Sequence, residues 1–215
     1  MLLDVPLARQ PKGSVFCGHA GLAMIFRYYG IKKPLQELIK DIPADKIGTY
    51  TPQLGTYLLR HGFSVEIVTH HPALFTLHDR HATQQQIRAR LKKMLRRATS
   101  KKKKVLQYFI EFLDTGGTIT VRIPSVDDIH SEIVQKRPIA ALLTSNFLAG
   151  KKPDFNFHFN VIAGLDTTQV YVNDPLPDSR GGKKKYRIAD FLFGVHASSF
   201  GDIDNGCFMK IRKRR

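Results

Sequence analysis

The segment Gln10-Pro-Lys-Gly-Ser-Val-Phe-Cys17-Gly-His-Ala-Gly-Leu-Ala-Met places a cysteine where a helix begins, and two stretches far downstream answer it. They are Phe157-His158-Phe-Asn-Val-Ile-Ala-Gly164 and Val170-Tyr-Val-Asn-Asp174-Pro175. A thiol attacks only as its thiolate, and a helix N-terminus with a nearby imidazole produces one near neutral pH. A fold that uses this thiol must bring the start of the chain onto its final third. That requirement excludes most simple bundles and most sheets built in chain order.

The patterning predicts helices first and strands later. Gly13-Ser14 opens the Cys17 helix, which continues through Ala20, Leu22, Ala23, Ile25 and Tyr29 until Gly30 closes it. Residues 34–40 read as a second helix, and Thr51-Pro52 as the N-cap and first residue of a third that stops at Gly62. Phe63 to Thr69 alternates as a strand. Ile87, Leu91, Met94, Leu95 and Ala98 form one helical stripe, and Val105, Leu106, Phe109, Ile110 and Leu113 a second. Ile119, Val121 and Ile123 alternate as a short strand, and Ser125 with Asp128 reads as a capping box for a helix ending near Arg137. Strands follow at 138–144, 157–164, 170–173, 186–188 and 207–211, with a loop from Pro175 to Lys183. This order predicts an α+β fold, with N-terminal helices packed on a C-terminal antiparallel sheet.

At 215 residues, 42% of them hydrophobic, the chain is expected to form a single domain. No apolar run is long enough for a membrane span, and the start lacks the pattern of a signal peptide, so a cytoplasmic location is expected. Two cysteines make no disulfide scaffold, and Cys207, in an alternating run, reads as a buried small hydrophobe. His70, His71, His78 and His81 lack zinc-type spacing and read as exposed loop histidines, so neither metal nor cofactor is expected. The formal charge of +16 is uneven: Arg88 to Lys104 carries ten basic side chains and no acidic one. Lys183 to Lys185 and the stretch from Lys210 to Arg215 add to it. Such a run attracts an acidic protein surface or nucleic acid, or merely keeps a face solvated.

Within this frame Cys17 is the candidate nucleophile and His158 the candidate base. Asp174 lies one hairpin beyond His158, placed to orient the imidazole. Asn173 is an alternative third member, because alternation along a strand turns one of the two towards His158 and the other away. Gln10 is a candidate oxyanion donor beside the backbone N–H of Cys17. His19, two positions further along the helix, faces elsewhere and reads as a surface or packing residue.

These motifs resemble the papain-like cysteine peptidases, and most closely the bacteriocin-processing (double-glycine) peptidases and their stand-alone relatives. The resemblance runs over residues 1–69 and 126 to about 193, with Arg137-Pro-Ile-Ala-Ala-Leu-Leu, the His158 strand and Tyr171-Val-Asn-Asp-Pro in the family's order. It implies a peptidase core of residues 1–69 and 126–215, with 70–125 as a basic helical insertion. It also implies a Cys-His-Asp triad working through a thioester acyl-enzyme, and a peptide substrate that is glycine-rich at the cleavage site. Gln10 stands seven positions before Cys17, one more than the family pattern. Two other functions suit the same residues: transfer or removal of an acyl group, and an inactive module whose basic insertion binds nucleic acid or an acidic partner.

Overall fold

Small residues on the first helix and β-branched residues late in the chain sort the elements into layers. The computed structural model describes residues 1–151, 157–201 and 203–214. Helix α1 (Cys17–Tyr28) is buried from Gly18 to Phe26, so it is a central helix rather than a surface one. Two helices follow it, α2 (Leu35–Asp41) and α3 (Thr51–Arg60). Gly62, at φ +85°, takes the left-handed conformation that ends the third helix and turns the chain into β1 (Phe63–Thr69).

The next segment holds α4 (Gln84–Leu95), α5 (Ser100–Asp114) and β2 (Thr118–Val121). Its helices bury Ile87, Leu91, Val105, Leu106, Phe109 and Phe112, and α5 packs on α3. The stripes therefore seal the segment to the core; Phe112 is buried, whereas Ile110 and Leu113 are only half-buried. Then come α6 (Val126–Val134), β3 (Ile139–Thr144), α7 (Ser145–Leu148), β4 (Phe157–Leu165) and β5 (Gln169–Asp174). The chain closes with β6 (Gly182–Arg187), α8 (Ile188–Ala197) and β7 (Cys207–Lys213).

Among the described residues the strands form one sheet in the order β2-β1-β7-β3-β4-β5-β6. Every pair is antiparallel except β1 with β2, which is parallel. The fold is thus α+β and mostly antiparallel, with one parallel pair at an edge. The last strand lies in the middle of the sheet, which is why Phe208, Met209 and Ile211 are fully buried. No helix among the described residues is long and apolar enough to cross a membrane.

Three local expectations change. The strand expected at 186–188 is the end of a longer one, Gly182–Arg187, and Ile188 begins a helix instead. Lys183, expected at the end of the loop, therefore lies with Lys184 and Lys185 on an edge strand, where charge discourages pairing with other chains. Thr51 is the first residue of α3, not its cap; the carboxylate of Asp204 takes the Thr51 N–H at 2.8 Å, from 153 residues away. His71 is buried and accepts the Ala73 N–H, while His78 and His81 sit exposed in a short 3-10 turn.

Candidate active site

Cys17 is the first residue of α1, half-buried at the end that points into a cleft. Phe16 at the N-cap contributes no side-chain hydrogen bond and no acidic residue occupies the first turn. The positive end of the helix is left uncompensated, a setting that favours a thiolate. Gly18 is required by close approach: a Cβ there would stand 2.2 Å from Thr49 Oγ1 and 2.8 Å from Leu54 Cδ1. Gly18→Ala is therefore expected to destabilise the protein by about 1–3 kcal/mol through overpacking. Thermal unfolding measures this, and an unchanged Tm would mean that α1 has room to shift.

β4 presents His158 to this helix end. The register of β4 with β5 pairs Val161 with Asn173, which brings Asp174, the next residue, level with Asn160 and one diagonal step from His158. His158 Nε2 lies 2.8 Å from Asp174 Oδ1, and both side chains are buried. The ring faces Cys17 closely enough that each group shifts the other's proton affinity, and both line one cleft. Asp174 Oδ1 also accepts the Leu176 N–H at 2.9 Å, which fixes the carboxylate before the turn.

The contacts decide between the two strand-end residues. Asn173 turns away and donates from Nδ2 to the Val5 carbonyl at 2.8 Å, pinning the N-terminal segment. The same turn is held from the other side, because Gln10 N–H donates to the Pro175 carbonyl and Arg9 Nη1 to that of Leu176. Segment 1–16 is thereby stitched to the Asp174 turn, which delivers Cys17 to its partners.

Burial alone would push the Cys17 thiol up. It is outweighed by the hydrogen bond and charge of His158 and by the N–H groups of Phe159 and Gly18, so the thiol lies below its ordinary value. Burial pulls the His158 imidazole down, but hydrogen bonds to Asp174 and Cys17 and their charges win, and its pKa is raised. The two shifts have opposite signs, and each favours the charged form of its group. Cys207 is the contrast: buried, beside Thr51 and the Asp204 carbonyl, its thiol is pushed up to about 12.

Gln10 lines the same cleft, of about 670 Å³, with Cys17 and His158. Its Nε2 donates to the Ser14 carbonyl at 2.6 Å, and its Oε1 is buried without a partner. His19 packs edge-on against Phe16 and bonds the Ile42 carbonyl, so it is a core residue. No three His, Cys, Asp or Glu side chains gather as a metal site among the described residues.

The cleft has walls that residue patterning does not reveal. Lys46, Ile47, Thr49 and Tyr50 form one side, and Leu142, Asn146 and Asn205 form another. Asn205, 2% exposed, has a buried Nδ2 without a partner. Asp204 beside it holds the backbone in place by capping α3. No local signal marks these positions, since Leu142 reads as an ordinary strand residue and the loop residues meet their neighbours only across distant sequence.

A cysteine at a helix N-terminus thus shares a cleft with a histidine from the sheet that a carboxylate holds. A family model described as the Peptidase_C39 like family matches residues 2–195. The chain belongs to this family. The family places it among the cysteine peptidases. No curated protein matches the chain. Among solved structures, a double glycine motif protease from an AMS/PCAT transporter, in complex with the leader peptide, is 16% identical with a TM-score of 0.50. That match covers 99% of this chain and 94% of the other. The peptidase domain of Streptococcus ComA, a bi-functional ABC transporter of a quorum sensing pathway, is 14% identical with a TM-score of 0.50, covering 98% and 100%. A C39-like peptidase from Bacillus anthracis is 16% identical with a TM-score of 0.51, covering 99% and 98%. At these identities the three share the fold.

Proposed function

We propose that this C39-like peptidase cleaves a peptide bond through Cys17, His158 and Asp174, by way of a thioester. The observation that supports the reading is His158 itself, held through Nε2 by Asp174 at 2.8 Å and lining one cleft with Cys17. The Cys17 thiolate adds to the carbonyl carbon, and the oxyanion is met by the backbone N–H of Cys17 and the side-chain amide of Gln10. His158 gives its proton to the departing amine as the C–N bond breaks, leaving the acyl group on sulfur. His158 then takes a proton from water, which attacks the thioester; the C–S bond breaks and the thiolate returns. Asp174 holds the imidazole in the needed tautomer throughout.

Residues 1–215 act as one domain in this reading, with 70–125 an elaboration of the core. A nucleophilic thiol and a second unpaired cysteine suit a reducing compartment such as the cytoplasm. The double glycine motif protease among the structural neighbours points to small residues beside the scissile bond as the substrate to try first.

The pH dependence follows from the signs. The Cys17 pKa is lowered, so thiolate persists into acid; the His158 pKa is raised, so imidazolium persists into alkali. The reactive pair occupies the window between, and turnover falls on the acid side with Cys17 protonation and on the alkaline side with His158 deprotonation. Iodoacetamide should therefore alkylate Cys17 rapidly at pH values below those an ordinary thiol needs, while Cys207 stays unreactive in the folded protein. Mass spectrometry of the labelled peptides reads both. A Cys17 that titrates like a free thiol, near pH 8.5, would remove the basis of the proposal.

A further inference from the structure

The basic segment meets the cleft wall through the ion pair of Lys104 with Asp45. Lys104, in the first turns of α5, donates to Asp45 Oδ2 at 3.0 Å, and the Tyr50 hydroxyl donates to the same oxygen at 2.8 Å. Tyr50 also packs 5.5 Å from the Tyr108 ring of α5 and lies under the Lys104 ammonium. Asp45 and Gly48 close the intervening loop with a pair of backbone hydrogen bonds. Lys46, Ile47, Thr49 and Tyr50 of this loop are one wall of the cleft that holds Cys17 and His158. The N-terminal end of α5 is thus the outer buttress of that wall.

Only part of the charge on this buttress is paired among the described residues. Arg88 pairs with Asp114, Arg90 with Asp79 and Lys104 with Asp45. Lys93, Arg96, Arg97, Lys102 and Lys103 remain exposed, with no ion pair to an acidic side chain among the described residues. They flank the α4–α5 turn, where the first turn of α5 has no acidic residue. Lysines there add to the positive end of the helix rather than offset it, an arrangement that costs helix stability. Exposed Lys46 carries the same sign from the turn into the cleft.

We propose that the α4–α5 turn is a docking surface for an acidic stretch of the same polypeptide that enters the cleft. The inference rests on the peptidase reading and adds the substrate's second feature: acidic side chains displaced along the chain from the scissile bond. Nucleic acid satisfies the charge but offers no peptide carbonyl to Cys17. A polypeptide with a small-residue segment beside an acidic one engages both surfaces at once. Linking the two contacts makes the second intramolecular, so affinity rises without a new cleft contact.

The test is protection of Cys17 from iodoacetamide at pH 7 and low salt. The probes are peptides joining three glycines to six glutamates, in both orders, against the same peptides with six serines, and a six-residue oligouridylate. A glutamate peptide in one of the two orders should protect at about tenfold lower concentration than its serine counterpart. The difference should vanish at 1 M salt, where the Debye length is about 3 Å. It should also vanish in the variant Lys93→Ser, Arg96→Ser, Arg97→Ser, Lys102→Ser, Lys103→Ser, whose unprotected labelling rate stays that of the parent. Equal protection by glutamate and serine peptides overturns the inference. So does oligouridylate protection matching the glutamate peptides, which would make the surface a general polyanion site. Failure of Cys17 to react rapidly without any peptide strikes the peptidase reading instead, so the two failures are told apart.

Discussion

Cys17→Ala is expected to lower turnover of a cleavable peptide by about 10⁴-fold or more, with the fold intact. The sulfur is the atom that forms the thioester, and nothing else in the cleft replaces it: the other described cysteine is buried at the start of β7 with its thiol pushed up to about 12. His158→Ala should cost nearly as much, because it removes the proton donor to the leaving amine and the charge that stabilises the thiolate. The second loss has its own signature. Without His158 the Cys17 thiol keeps its burial penalty and loses the largest of the influences that lower it, so the pH midpoint for alkylation should move upward. Stopped-flow alkylation across pH on the parent and His158→Ala reads that shift directly. Equal midpoints would mean that the helix end alone sets the thiol's acidity and that His158 is not its partner. Asp174→Asn keeps a hydrogen-bond partner for Nε2 but removes the charge, so it should lie between the parent and His158→Ala.

The order Cys17, His158, Asp174 was legible in the sequence because each sits in a local context with a strong signature: a helix start rich in small residues, an apolar strand, and an Asp-Pro turn. The choice between Asp174 and Asn173 was not, since alternation says only that they diverge. It took the contact of Asn173 with the Val5 carbonyl to settle which faces inward. Helix α8 escaped detection because Ile188-Ala-Asp-Phe-Leu-Phe-Gly is apolar without a clear period, and its glycine and aromatics resemble a strand end. The edge strand before it hid behind three lysines. The walls of the cleft were beyond reach for a different reason. Asp204 caps α3 across 153 residues, and Lys104 braces a loop 59 residues away. Pairs of that kind leave no periodicity in one sequence, because each partner alone looks like an ordinary surface charge.

The largest expected effect on stability lies away from the cleft, at Asp128. Its carboxylate is 1% exposed and caps α6 through the Ser125 N–H at 3.0 Å. It receives both Arg122 terminal nitrogens and, at 2.7 Å, the ammonium of Lys210 on β7. Lys210 is itself buried in the middle of the sheet. Asp128→Ala leaves that ammonium without its counter-charge and α6 without its cap, and the expected loss is about 3–5 kcal/mol. In a chain of this size that corresponds to a fall in Tm of about 10 °C. Asp128→Leu with Lys210→Met should recover much of it, because replacing both members leaves no buried charge. The sign of the pH dependence follows from the same contacts. Burial would raise the Asp128 carboxyl, but Arg122 and Lys210 hold it below its usual value. Its contribution is therefore complete above the unfolded value, about pH 4, and disappears as pH falls through the lower folded value. Urea unfolding at pH 7 and at progressively lower pH should show the parent losing its advantage over Asp128→Ala in that acid range. A constant gap between the two across the series would assign the loss to packing rather than to the charge.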